Sequence, residues 1–147
     1  MCWVIKTSLW HVREALYVLG LLRPRRSEHV TRLRLLRAQA CRTPRRFGCF
    51  IFPFGAIHYV DFQAMLHQYD EIFVQRAYDF VADTDTPLIL DCGSHIGLSI
   101  IRFKELYPRS RITAFEPDPI IADVLENNLR SLHLESVELI RAAAWIE

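Results

Sequence analysis

The stretch Leu88–Gly97, LILDCGSHIG, runs an apolar segment into an acid and then places two glycines four residues apart. The glycines fall where the apolar run ends and a helical pattern begins. A helix start presents unbonded N–H groups and a partial positive charge. Gly93 can take backbone angles closed to other residues, and its missing Cβ lets a ligand reach the main chain. Gly97 is expected to let the helix start pack tightly against the strand. The spacing is GxxxG, where a dinucleotide site uses GxGxxG to seat a pyrophosphate on the helix end. No third glycine is in register, which disfavours a pyrophosphate and with it an NAD-dependent oxidoreductase.

Two acids refine the chemistry. Asp91, at the mouth of the loop, would repel phosphates and welcome a cation or an ammonium group. Glu116 lies 23 residues beyond Gly93, at the end of the next apolar run. At that place and distance an acid accepts both hydroxyls of a ribose. The ligand implied is a nucleoside with a positive, amine-bearing tail and no phosphate, a description that S-adenosylmethionine fits. The competing structural readings are that Asp91 caps a helix and that Glu116 caps the helix that follows it.

The elements around these residues read as strand, helix, strand, helix, strand. Pro87–Asp91 is a short continuous apolar strand of the kind buried on both faces. Ile96–Tyr107 is a helix stopped by Pro108. Arg111–Phe115 is a second strand. Asp118 is a good N-cap, and Pro119 suits the first helical position of a helix running through Ile121, Val124, Leu125, Asn128, Leu129 and Leu132. Val137–Ala144 is a third strand. This alternation implies parallel pairing with right-handed crossovers.

Upstream, Gly48–Val60 reads as strand, turn and strand, and Asp61–Phe80 as one helix. The polar break Asp83–Pro87 separates this pre-core part, residues 47–85, from the regular core, residues 86–147. Residues 1–46 form a third part. They hold eleven Lys or Arg against two acids, whereas residues 47–147 hold seven against fifteen. Ser8–Leu22 and His29–Ala40 read as helices, the second with Val30, Leu33, Leu36 and Ala40 as its apolar face. Such a basic pair is a solvated extension or a surface attracted to anionic membrane. No nucleic-acid partner is expected.

Ala15–Leu22, the longest apolar run near the start, is too short for a bilayer core, which needs about 20 residues. The four cysteines have no CxxC spacing and read as reduced thiols of a cytoplasmic protein, peripheral at a membrane if the basic pair touches one. The histidines show no metal-ligand spacing.

The segments ILDCGSHIG (89–97), AFEPDP (114–119) and LENNL (125–129), with YDEIF (69–73) and YDF (78–80) ahead of them, resemble the FkbM-type methyltransferases, a branch of the class I S-adenosylmethionine-dependent enzymes. The resemblance covers about residues 55–147. It implies an α/β fold, the N-terminal half of a Rossmann-like sheet with three parallel strands and helices; the helical basic extension that precedes it lies outside the resemblance. It also implies that Asp91, Gly93, Ser94, His95 and Gly97 line the methionine part of the cofactor, that Glu116 holds the ribose, and that Pro117 and Asp118 lie beside the adenine. Ala142 and Ala143 would offer backbone contacts to the adenine. His95 replaces the small amide or similar residue expected there, and reads either as loop filler or as a contact to cofactor or substrate. The implied reaction is O-methylation of a sugar or natural-product hydroxyl, a small molecule or a glycan. No catalytic base is identified.

The family's sheet has seven strands in the order 3-2-1-4-5-7-6, and this chain supplies three. The first strand is therefore expected at an edge, and the chain is expected to be a truncated product with weak cofactor binding and no turnover of its own. The alternative from another class is a non-catalytic nucleotide-binding or scaffold module that keeps the loop.

Overall fold

The structure is a computed structural model and describes residues 26–39, 46–134 and 136–145. Helix α1, Arg26–Gln39, comes first. The hairpin β1 (Gly48–Phe52) and β2 (Gly55–Tyr59) pairs antiparallel, with Phe52 opposite Gly55. Alternation sends Phe50, Phe52, Ile57 and Tyr59 inward and leaves Cys49, Ile51, Ala56 and His58 outside. Helix α2, Phe62–Tyr69, follows, capped by Asp61, whose carboxylate accepts from the N–H groups of Gln63 and Ala64. An aromatic stack binds the hairpin to it: Phe52 lies 5.1 Å from Tyr69, and Phe54 5.2 Å from Phe73.

The expected single helix Asp61–Phe80 is not formed. Helix α2 widens into a π-helical turn at Asp70–Val74, and Arg76 leaves the helix with φ +56°. The residues beyond serve another partner. Asp79 meets the Arg102 guanidinium in two bonds of 2.7 Å, and Tyr78 and Phe80 pack on Phe103. A longer helix would carry these side chains away from those partners.

Helix α1 also differs from expectation. Its buried side is Thr31, Leu35 and Ala38, while Val30, Leu33 and Leu36 are exposed. Arg32 pairs with Asp70, and the Arg34 guanidinium lies 5.5 Å from the centre of the Phe50 ring. These two arginines hold the helix with the other stripe inward. Ser8–Leu22 and Ala40 lie outside the described residues.

The core sheet has three parallel strands in the order β3 (Leu88–Cys92), β4 (Arg111–Phe115), β5 (Glu138–Ile140), with β3 at an edge. Helices α3 (Leu98–Leu106) and α4 (Pro119–Ser131) connect them. Ile100 and Phe103 of α3, and Leu125 and Leu129 of α4, pack with Ile89, Ile112 and Ala114. This is an α/β arrangement that fits part of a Rossmann-like sheet. Strand β5 is shorter than the expected Val137–Ala144. The Ala142 N–H turns back to the Ile140 carbonyl, and Arg141 reaches Asp123 at 2.7 Å and Glu126 at 2.9 Å on α4. No described helix is long and apolar enough to cross a membrane.

Candidate functional site

The tips of β3 and β4 meet through the glycine loop. Gly93 has φ +85°, and a Cβ placed on it would meet nothing within 4 Å. The backbone angle, not crowding, demands glycine here, and the main chain faces open space. The N–H groups of Gly93 and Ser94 both donate to the Phe115 carbonyl at 2.9 Å, fastening the loop to the end of β4. Ser94 is buried, and its Oγ donates to the Asp91 carbonyl at 2.9 Å. The Gly97 N–H closes the turn on the Ser94 carbonyl. Gly97 itself has φ +94°, and its Cβ would stand 2.8 Å from Leu125 Cδ1. The tight packing expected at Gly97 is thus against helix α4, not the strand, because the Leu125 side chain of α4 stands over the start of α3. Helix α3 accordingly begins at Leu98, not Ile96.

Asp91 points to the helix-covered side of β3. It is buried, and Ser99 Oγ in the first turn of α3 donates to it at 2.7 Å. A carboxylate is favoured there by the partial positive charge of the helix start.

Glu116 is 6% exposed and joins the loop to the next helix. Its Oε2 accepts from the His95 N–H at 2.9 Å, and its Oε1 from the Asp118 N–H at 3.0 Å. A carboxylate oxygen can accept about two bonds, so each retains capacity for a ligand hydroxyl. Its own N–H donates to the Ile140 carbonyl at 3.1 Å, which sets the end of β5 beside it.

His95 adopts φ +48°, and its Nδ1 lies 3.0 Å from Gln68 Oε1 on α2. With Oε1 as acceptor, Nδ1 carries the proton and Nε2 the lone pair. Burial pushes the imidazole below its ordinary pKa, opposed by the charges of Glu116, Asp61 and Asp118. Asp118 caps α4 as expected, accepting from the N–H groups of Ile120 and Ile121. Pro117 is exposed beside it, and Ala142 and Ala143 are exposed past β5.

The structure therefore brings Gly93, His95, Glu116 and Asp118 together at the strand tips and sets Asp91, Ser94 and Gly97 beneath them as braces. Sequence reasoning missed Gln68, Ser99 and Asn128. Asn128 carried a signal: a polar residue on the apolar stripe of α4 needs buried partners. Ser99 and Gln68 carried none: Ser99 meets Asp91 only once the loop folds α3 back on β3, and the partner of Gln68 is 27 residues away. A shallow surface cleft between Gly48 and Tyr59 of the hairpin and Val124 of α4 contains none of the strand-tip residues. Among the described residues, no group of three or more His, Cys, Asp or Glu side chains could hold a metal ion.

No protein-family model matches the chain. Over 61 residues, 42% of its length, it is 44% identical to Methyltransferase sdnD of Sordaria araneosa. Over 68 residues, 46% of its length, it is 34% identical to Methyltransferase 1 of Beauveria bassiana (strain ARSEF 2860). The matched stretches are 24% and 27% of those proteins, so the chain spans about a quarter of the length of the curated relatives it matches. The crystal structure of coclaurine N-methyltransferase bound to N-methylheliamine and SAH aligns with 92% of this chain and 42% of that one, at 20% identity. The TM-score of that alignment is 0.37.

Proposed function

We propose that residues 86–147 supply the cofactor-binding part of a class I S-adenosylmethionine-dependent methyltransferase of the FkbM type. One observation carries the reading. A buried carboxylate, Glu116, is joined through the His95 N–H to a glycine loop whose main chain at Gly93 faces open space. The similarity to two proteins named methyltransferases supports it. Glu116 takes the ribose hydroxyls with its remaining acceptor capacity. Gly93 and His95 meet the methionine part directly, while Asp91, Ser94 and Gly97 shape the loop that does so. Pro117 and Asp118, with the Ala143 backbone, lie on the adenine side.

The same bonds argue against a pyrophosphate. Two loop N–H groups that would cradle it, those of Gly93 and Ser94, are already on the Phe115 carbonyl. The bound cofactor would supply a methyl group on a sulfonium, open to in-line attack. The task left to the chain is to orient that group and exclude water. The acceptor we propose is a hydroxyl of a sugar or natural product.

Calorimetric titration with S-adenosylhomocysteine and then NAD tests the cofactor. Binding of the first alone is expected, and Glu116→Gln should weaken it about tenfold or more, the worth of a hydrogen bond to a charged group. Tight NAD binding with no response to S-adenosylhomocysteine would overturn the reading. Methyl transfer to a panel of glycans tests the acceptor.

A second reading concerns α1. We propose that it meets an anionic membrane surface at the cytoplasmic side, because Val30, Leu33 and Leu36 stay exposed on a helix whose Arg37 is also exposed. Sedimentation with phosphatidylserine vesicles should exceed that with phosphatidylcholine alone and fall in Leu33→Asp. Equal sedimentation with both would refute it.

A further inference from the structure

We propose that Asn128 is a positioning residue for the glycine loop, coupling it to the β1–β2 hairpin. Its side chain is 1% exposed and makes three bonds of 2.9 Å. The amide nitrogen donates to the carbonyls of His58 and Ile96, and the amide oxygen accepts from the His58 N–H. A two-stranded sheet leaves the outer N–H and C=O groups of each strand in need of partners. At His58 of β2, one side chain supplies both, as a neighbouring strand would. Its remaining proton holds the carbonyl of Ile96, the fully buried residue between His95 and Gly97.

Three parts of the chain thus meet in one amide: the hairpin, the loop and the last turn of α4. Buried groups fully bonded in this way rigidify, and removing one partner leaves several others unsatisfied. Gln68 adds a second hold on the same loop from the pre-core part, through His95. The pre-core hairpin is therefore a splint for the loop, with Asn128 as the fastening. That the loop so held is a cofactor loop rests on the function proposed above.

Hydrogen exchange on the full chain tests the coupling. In the unaltered protein the Asn128 side-chain amide protons should exchange far more slowly than those of its exposed neighbour Asn127. Asn128→Ala should be compared with Leu129→Ala, which removes apolar packing from the same helix, with exchange corrected for each variant's unfolding midpoint. The amides of His58, His95 and Gly97 should exchange at least about tenfold faster in Asn128→Ala, as expected of a local opening. S-adenosylhomocysteine should also bind more weakly to Asn128→Ala than to Leu129→Ala. Equal exchange of the Asn127 and Asn128 side chains, or equal loop exchange in the two variants, would overturn the inference. If the loop amides respond as expected while the unaltered chain ignores S-adenosylhomocysteine, the coupling stands and the cofactor assignment fails.

Discussion

The two faces of the core sheet are built from similar residues and have different surroundings. On one face Ile89, Ile112 and Ala114 lie under α3 and α4. On the other, Leu88 and Leu90 of the same strand are 54% and 51% exposed. The strand was expected to be buried on both faces because LIL has no polar partner to alternate with. In the described residues only one face is covered, since both crossover helices pack on the same side. Composition reports what a strand is suited to, and packing decides how much of that suitability is used. Alternate residues of β3 therefore differ in energetic weight despite equal hydrophobicity.

Paired substitutions can break this contrast. Ile112→Ala on the covered face should cost about 2–5 kcal/mol of stability, the usual loss for a buried Ile truncated in a core. A loss near that of Leu90→Ala would show the covered face to be loosely packed. Urea unfolding measures both. Gly97→Ala comes next. Its Cβ would press on Leu125 and its φ of +94° is strained for alanine, so a cost of about 1–3 kcal/mol is expected. If Gly97→Ala unfolds at the same urea midpoint as the parent, α4 does not press on the loop as the geometry says.

At the rim, His95 gives a smaller, pH-dependent effect. Its folded pKa is lowered below the ordinary imidazole value of about 6.5, chiefly by burial. The unfolded chain therefore takes up the proton first as pH falls. The His95 contribution is whole above the unfolded pKa and is lost as pH falls from there to the folded pKa. His95→Gln should flatten that part of the stability–pH curve, read from urea midpoints on either side of it. Parallel curves for the two proteins would count against a buried neutral imidazole. The smallest effect is expected on the open face: Leu90→Thr should change stability by no more than about 0.5 kcal/mol. It should also reduce aggregation, because an apolar edge strand invites pairing with other chains. A large destabilisation would mean that the open face carries packing after all.

Much of the core was legible. The strand Arg111–Phe115 and the Asp118 cap appear as read, because capping and strand alternation depend on residues a few positions apart. Gly93 was legible for the same reason: its left-handed angle belongs to the turn itself. The hairpin at Gly48–Tyr59 followed from aromatic alternation interrupted by Pro53 and Gly55. The helix after Asp61 was legible at its start, where Asp61 caps it, and not at its end. Its end depends on Arg102, 23 residues from Asp79.

The amino-acid order alone determined the succession of strands and helices in the core, that the loop after β3 turns on glycine, and that two acids stand at neighbouring strand ends. Tertiary structure decided where those acids point: Asp91 down onto Ser99, Glu116 across to His95. It also decided which stripe of α1 is buried, and that Asn128 joins hairpin to loop across 70 residues. The division has a physical cause. Backbone angles and caps are set within a turn or two of chain, whereas a buried polar side chain takes its partner from whatever segment the fold brings within about 3 Å.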